Sequence, residues 1–191
     1  MAFFKEKTAP VHTPVETLEQ FLTFLLGGEM FAINILSIKE IIEYQPLTEV
    51  PLMPDFIRGV MNLRGSVVPV IDLAARFQRP VIKVGRRTCI VILEICHEDR
   101  VQDVGIVVDS VSEVVELKAS QIEPPPAFGA KVRTDFIQGM FRAETRFVII
   151  LNIGSVLSLE EMIMLAESSM EDALAVLAEA AAFPIEGAPH V

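Results

Sequence analysis

Phe21-Leu22-Thr23-Phe24-Leu25-Leu26-Gly27-Gly28-Glu29-Met30-Phe31-Ala32-Ile33 is the stretch that decides the fold class. Two apolar runs flank Gly27-Gly28. A Gly-Gly pair in that setting signals a hairpin, because both residues enter positive φ with no Cβ to clash. From Gln20 onward the pattern is therefore strand, turn, strand, and Ile35, Leu36, Ile38, Ile41 and Ile42 carry the apolar content onward. Pro46, Pro51 and Pro54 then break the chain. Pro54-Asp55-Phe56-Ile57 reads as a helix start or a turn, with a short helical piece to Asn62 or Leu63 that carries Phe56, Val60 and Leu63 on one side. After Gly65, residues Val67, Val68, Val70, Ile71 and Leu73 form a strand, in which Pro69 indicates an edge or a bulge. Three more strands are Thr88 to Ile95, Val104 to Val108 with an extension to Val115, and Phe147 to Leu151. Short strands at this spacing, with no long helices between them, predict an all-β antiparallel sandwich or barrel.

The ends differ from this middle. Residues 5–17 are polar and contain Pro10 and Pro14, and the whole of 1–17 reads as a flexible lead-in. Ser158-Leu159-Glu160-Glu161 matches a capping box, and Leu159, Met162, Ile163, Ala166, Met170, Ala173, Leu174 and Leu177 recur at helical spacing. The expected organisation is a domain over 18–158, an acidic helix over 159–183 ended by Pro184, and a tail over 184–191. Ser168 with Glu171 repeats the capping pattern and marks a place where the helix can break.

Composition narrows the function. With 51% apolar and 22% charged residues the chain is an ordinary globular protein. A net charge of −10 argues against nucleic acid as a partner, since that binding depends on basic residues neutralising phosphates. With no Trp and one Tyr, a platform for stacking bases is also not expected. No apolar run reaches the ~18 residues of a spanning helix, and the charged start Lys5-Glu6-Lys7 is unlike a signal peptide, so the expected address is the cytoplasm. Charge is uneven: residues 156–191 hold seven acids and no Lys or Arg, whereas 58–87 hold seven basic residues and one acid, Asp72. Both read as solvated surface, with the alternative that either steers a charged partner.

Catalytic chemistry is not evident. His12 and His190 lie near the ends, and His97 beside Cys96 sits in a polar turn where neighbouring side chains face apart. Cys89 and Cys96 are too few for a disulfide framework and read as buried free thiols. Asp72 and Asp109 each end an apolar strand, the usual place of a cap. Neither metal-ligand spacing nor a phosphate loop is found, so neither a cofactor nor an enzymatic activity is expected.

Surface candidates are more informative. In Met53 to Gly65, Gly59 permits close approach of another backbone, and Gly65 supplies a positive-φ turn next to Arg64. Arg64 reads either as an ordinary surface Arg beside a turn or as a fork for carboxylates and carbonyls. Val104 to Val114 reads as a core strand, with Val111 and Val114 as candidates for an exposed groove.

Together these blocks resemble the CheW coupling proteins of bacterial chemotaxis. The match is carried by Phe21 to Gly28, Ile33 to Ile41, Pro54 to Gly65, Val67 to Leu73, Gly105 to Val114 and Asn152 to Ser158, in the family's order, over roughly residues 18–165. The resemblance implies two five-stranded SH3-like β-barrels packed together, with a C-terminal α-helical extension here. It implies a non-catalytic adaptor between the cytoplasmic tip of a chemoreceptor coiled coil and the regulatory domain of the histidine kinase CheA, with no membrane insertion of its own. By motif position, the receptor groove would use Ile38, Gly59, Arg64, Ile90, Val111 and Val114. The kinase and ring contacts would use Glu40, Ile41 and Phe128. Glu123 departs from the basic residue common at its place, and the chain runs on through an Ala-rich acidic segment. A paralogue serving a different chemosensory-like pathway, or a barrel that binds a small ligand, is the alternative.

Overall fold

A computed structural model describes residues 17–51, 53–97, 100–125, 132–144 and 146–158. The lead-in over 1–16, the segment 159–191 and Phe128 lie outside the described residues, as does Leu52.

Ten strands form two five-stranded sheets. They are β1 (Leu18–Leu26), β2 (Glu29–Asn34), β3 (Ile38–Glu43), β4 (Ile57–Leu63), β5 (Ser66–Asp72), β6 (Cys89–His97), β7 (Arg100–Val108), β8 (Ser110–Lys118), β9 (Ile137–Ala143) and β10 (Arg146–Leu151). The outer sheet has the order β8-β1-β2-β10-β9, and the inserted sheet has the order β3-β6-β7-β5-β4. The chain leaves the outer sheet after β2, builds the inserted sheet from five consecutive strands, and returns. Each sheet is mixed rather than antiparallel throughout: β10 runs parallel to β2, and β5 parallel to β7. That corrects the antiparallel expectation, because hydrophobic period reports a strand's buried faces and not its partner's direction.

The opening hairpin forms as its sequence requires, with Gly27 at φ +58° and Gly28 at φ +82°. A second correction concerns the helical piece expected to reach Asn62 or Leu63: after a turn at Asp55 and Phe56, the residues Ile57–Leu63 form β4. Its exposure alternates, with Gly59 and Met61 buried and Val60 and Asn62 less so, and its partner β5 supplies the hydrogen bonds. Pro69 lies in β5, which has neighbours on both sides; the pairing with β7 begins only at Val70, so the missing N–H costs no ladder bond.

The two sheets repeat one pattern. Asp55-Phe56-Ile57-Arg58-Gly59 returns eighty positions later as Asp135-Phe136-Ile137-Gln138-Gly139. Thr48 exchanges backbone hydrogen bonds with Val60 (2.9 and 2.8 Å), and Glu123 exchanges them with Met140 (2.7 and 2.8 Å). Asp72 and Asn152 each donate their amide to the carbonyl of the matching Phe, at 2.8 Å, and each caps a one-turn helix, α1 (Leu73–Arg76) and α2 (Ile153–Val156). The hairpin tips match too, with Arg64 at φ +54° and Glu144 at φ +49°.

A small apolar cluster of Phe21, Ala32, Leu117, Phe141, Val148 and Ile150 fills one face of the outer sheet. Its other face, through Leu22, Phe24, Leu26, Phe31 and Ile33, joins a large cluster shared with the whole inserted sheet. This double burial explains why β1 is apolar on both faces. Arg76 lies at the joint, almost fully buried. Its guanidinium stacks 5.2 Å from the Phe56 ring centroid and 4.9 Å from that of Phe136, the two equivalent phenylalanines, and its Nε donates to the Val156 carbonyl at 3.1 Å.

Candidate interaction surface

The chain passes between the sheets at two tight crossings. Residues Ile35–Ser37 form a single 3-10 turn between β2 and β3, with the Asn34 side chain accepting from Leu36 N at 2.9 Å. Asp109 alone separates β7 from β8; its amide donates to the Leu25 carbonyl at 3.0 Å, and its carboxylate accepts from Gly27 N at 2.7 Å. Ile38 directly follows the first crossing, and Val111 lies two residues after Asp109. Both are half-buried and pack on the large shared core.

Val111 and Val114 are three apart, which in a regular strand would place them on opposite faces. Here the register slips by one: Leu22 pairs with Val114 and Phe24 with Val111, so three steps on β8 match two on β1. The buried Thr23 hydroxyl holds this bulge, donating to the Glu113 carbonyl at 2.8 Å and accepting from Glu113 N at 3.2 Å. Both valines therefore take the face of Leu22 and Phe24, which looks toward the inserted sheet. Val114 is 46% exposed.

β3 carries a matching slip, with Ile38 opposite Leu93 and Glu40 opposite Ile92. Ile38 and Ile41 consequently share one face, and Glu40 takes the other. Ile41 is exposed, while the Glu40 carboxylate is mostly covered and accepts from Arg64 Nη2 at 2.8 Å. Arg64 sits on the two-residue turn between β4 and β5, where it and Gly65 (φ +92°) both take positive φ, as a type I′ hairpin demands. Asn62 Oδ1 locks that turn by accepting from Gly65 N at 2.9 Å. The guanidinium keeps most of its surface in water, the Arg64 side chain being 78% exposed. Next to Glu40, Lys39 Nζ donates to Asp103 at 2.8 Å, and that hydrogen bond holds the Lys39 pKa above its ordinary value.

Two of the groove positions read from the resemblance are buried in this structure. Ile90 is fully buried: its Cγ2 lies 2.9 Å from where a Cβ on Gly105 would stand, inside the inserted sheet. Gly59 (φ +138°) is buried as well, and the backbone that approaches it is the chain's own, with Thr48 O 2.4 Å from an ideal Cβ. Both lie beneath the surface and offer no side chain to a partner. The other residues fall into three groups: Val111 with Val114, Ile38 with Ile41, and Arg64 with Glu40. The surfaces assigned to receptor and kinase thus interleave on β3. Sequence reasoning misses Arg76 as the joint between sheets; the eighty-residue repeat of Asp-Phe-Ile-x-Gly is the available signal. No group of three or more His, Cys, Asp or Glu stands ready to hold a metal among the described residues, and none of their helices is long and apolar enough to cross a membrane.

Residues 20–161 match the family model of the CheW-like domain. The chemotaxis protein CheW of Klebsiella aerogenes is 41% identical over 144 residues, covering 75% of this chain and 84% of that protein. The chain belongs to the CheW family. CheW of Bacillus subtilis is 35% identical over 147 residues, covering 76% of this chain and 91% of its own length. The crystal structure of the scaffolding protein TtCheW from Thermoanaerobacter tengcongensis superimposes with a TM-score of 0.65 at 31% identity, covering 77% of this chain and 91% of that one. Two five-stranded sheets joined at tight crossings are thus the architecture of a CheW-family member.

Proposed function

We propose that this CheW-family chain is a non-catalytic cytoplasmic scaffold that couples a chemoreceptor to the histidine kinase CheA and is recruited to membrane-associated receptor arrays. The observation that carries the reading is the β8 bulge, which puts Val111 and Val114 together on the face of Leu22 and Phe24, with Val111 and Ile38 packed on the core shared by the two sheets and Val114 left well exposed. A receptor tip is a helical rod with an apolar stripe, and an aliphatic seam suits helix-in-groove recognition. Arg64, fixed on its turn and paired with Glu40, sets register at the edge of that seam. We assign Glu40 and Ile41, on the two sides of β3, to the contact with the kinase regulatory domain. We read each sheet as an SH3-like barrel closed by its bridge, Thr48 to Val60 and Glu123 to Met140. Apolar side chains pack against both faces of the outer sheet, in a small cluster of its own and a large one shared with the inserted sheet, which suits a scaffold better than a ligand carrier.

The test is co-sedimentation with receptor-containing membranes in the presence of CheA. Val114→Asp places a charge in the seam without opening the core, whereas Val111 packs on the core and is a poorer probe. Loss of a central anchor costs about 2 kcal/mol, roughly 30-fold in affinity. Val114→Asp and Arg64→Ala that both co-sediment like the parent, with unchanged melting, would overturn the assignment.

A further inference from the structure

The loop between α1 and β6, residues 77–88, contains four basic residues and no acid. Arg79 is accounted for: it pairs with Glu29 at 2.8 Å and lies over the Phe31 ring. Lys83, Arg86 and Arg87 are exposed and have no partner among the described residues, in a chain whose net charge is −10. The loop is held in place. Ile82 is buried, its amide donating to Asp72 Oδ2 at 2.8 Å, and the Thr88 hydroxyl accepts from Gly85 N at 2.8 Å across the turn that presents Arg86 and Arg87. Val81 and Val84, 46% and 50% exposed, stand among these cations. The result is a basic surface with apolar residues set into it.

The chain supplies a segment of complementary chemistry. Residues 159–191 contain seven acids and no Lys or Arg, and Leu159, Met162, Ile163, Ala166 and Met170 recur at helical spacing. That segment leaves the domain beside the loop. Arg76, the last residue of α1, donates to the carbonyl of Val156, the last residue of α2. The basic loop begins one residue after Arg76, and the acidic segment begins three residues after Val156. We propose that residues 159–177 dock in cis on the loop. Glu160, Glu167 and Glu171, which flank the apolar stripe, meet Lys83, Arg86 and Arg87, and the stripe covers Val81 and Val84. The contact is largely electrostatic at an exposed site, so it weakens as salt rises.

Amide hydrogen exchange on the full chain tests this, comparing the parent, Lys83→Glu/Arg86→Glu/Arg87→Glu, and that triple reversal combined with Glu160→Lys/Glu167→Lys/Glu171→Lys. The parent should show protection across 159–177 and across the loop at low salt. The triple reversal should lower it by about tenfold, the size expected of three exposed ion pairs together, and the combined variant should restore it. Circular-dichroism melting checks that the reversal leaves the domain folded, as three exposed side chains should allow. Absence of protection in the parent, or protection that ignores the reversal, overturns the proposal. So does protection that appears only with concentration alongside a dimer in light scattering, which would assign the loop to a second copy.

Discussion

Gly59→Ala probes the closure of the inserted sheet in a way that can be worked through beforehand. An alanine there must hold φ +138°, a region L side chains rarely adopt, and its Cβ would stand 2.4 Å from the Thr48 carbonyl oxygen. That oxygen belongs to backbone, so relief requires the chain around Thr48 to move. Movement breaks the two Thr48–Val60 hydrogen bonds. Backbone strain of this kind costs about 1–3 kcal/mol, and two net hydrogen bonds add about 2 kcal/mol. A loss of about 4 kcal/mol is large against a stability of about 5–15 kcal/mol, and at ~2–4 °C per kcal/mol it lowers Tm by roughly 10 °C. Gly139→Ala, the equivalent change eighty residues on, is the internal control. Gly139 has no positive φ, and its nearest obstacle is the Ile122 side chain at 2.5 Å, with the Glu123 carbonyl at 3.0 Å. It should cost less than half as much. With no Trp and a single Tyr, urea unfolding is best followed by circular dichroism. A Gly139→Ala loss equal to or larger than that of Gly59→Ala would refute the reasoning, as would a Gly59→Ala midpoint close to the parent's.

Other substitutions isolate other parts of the fold. Arg76→Met keeps volume but removes the guanidinium between Phe56 and Phe136 and leaves the Val156 carbonyl without that donor; a loss of about 2–3 kcal/mol in the same assay is expected. Thr23→Val removes the hydroxyl that holds the β8 bulge at Glu113, and should cost about 1–3 kcal/mol while disturbing amide shifts around Val111 to Val114 in NMR spectra. Arg64→Ala breaks only an exposed pair with Glu40, and should change stability by less than about 1 kcal/mol. Arg133 donates to the Asp135 carboxylate and holds its pKa below the ordinary value, so this pair stabilises the fold at neutral pH and is lost as pH falls through the folded-state pKa. Asp135→Asn should therefore remove a small part of the acid-side decline in Tm.

Much of this is legible in the residues. The Gly27-Gly28 hairpin, the apolar runs of β1, β2, β5 and β6, and Asp72 and Asp109 as groups that hold strand ends all follow from local rules. Asp72 does more than cap α1, since it also anchors Ile82 in the loop. What local rules cannot supply is pairing between distant strands. β4 reads as a helical piece because Phe56, Val60 and Leu63 fit a helical face equally well, and only β5 decides the matter. β9 does not stand out as a strand at all, although its Phe-Ile-x-Gly pattern copies β4. At the surface, Val111 and Val114 can be named from sequence but their awkward spacing cannot be explained there. The reason is a bulge, and a bulge depends on the partner strand. The burial of Ile90 is not legible either, because a strand covered on both faces gives no periodic cue to which side is open.

The order of strands along the chain also constrains assembly. β1 and β2 come first from the ribosome, yet their sheet-mates β8, β9 and β10 come last, with five strands of the other sheet between them. The earliest hairpin must wait, unpaired along both margins, until the whole inserted sheet has emerged. Conversely β6 and β7, which open the second half of the repeat, are spent on finishing the first half's sheet. Neither half is thus self-sufficient. Separated near residue 80, each fragment would carry a hairpin that belongs to its counterpart, and the two would have to exchange them to regain the native arrangement.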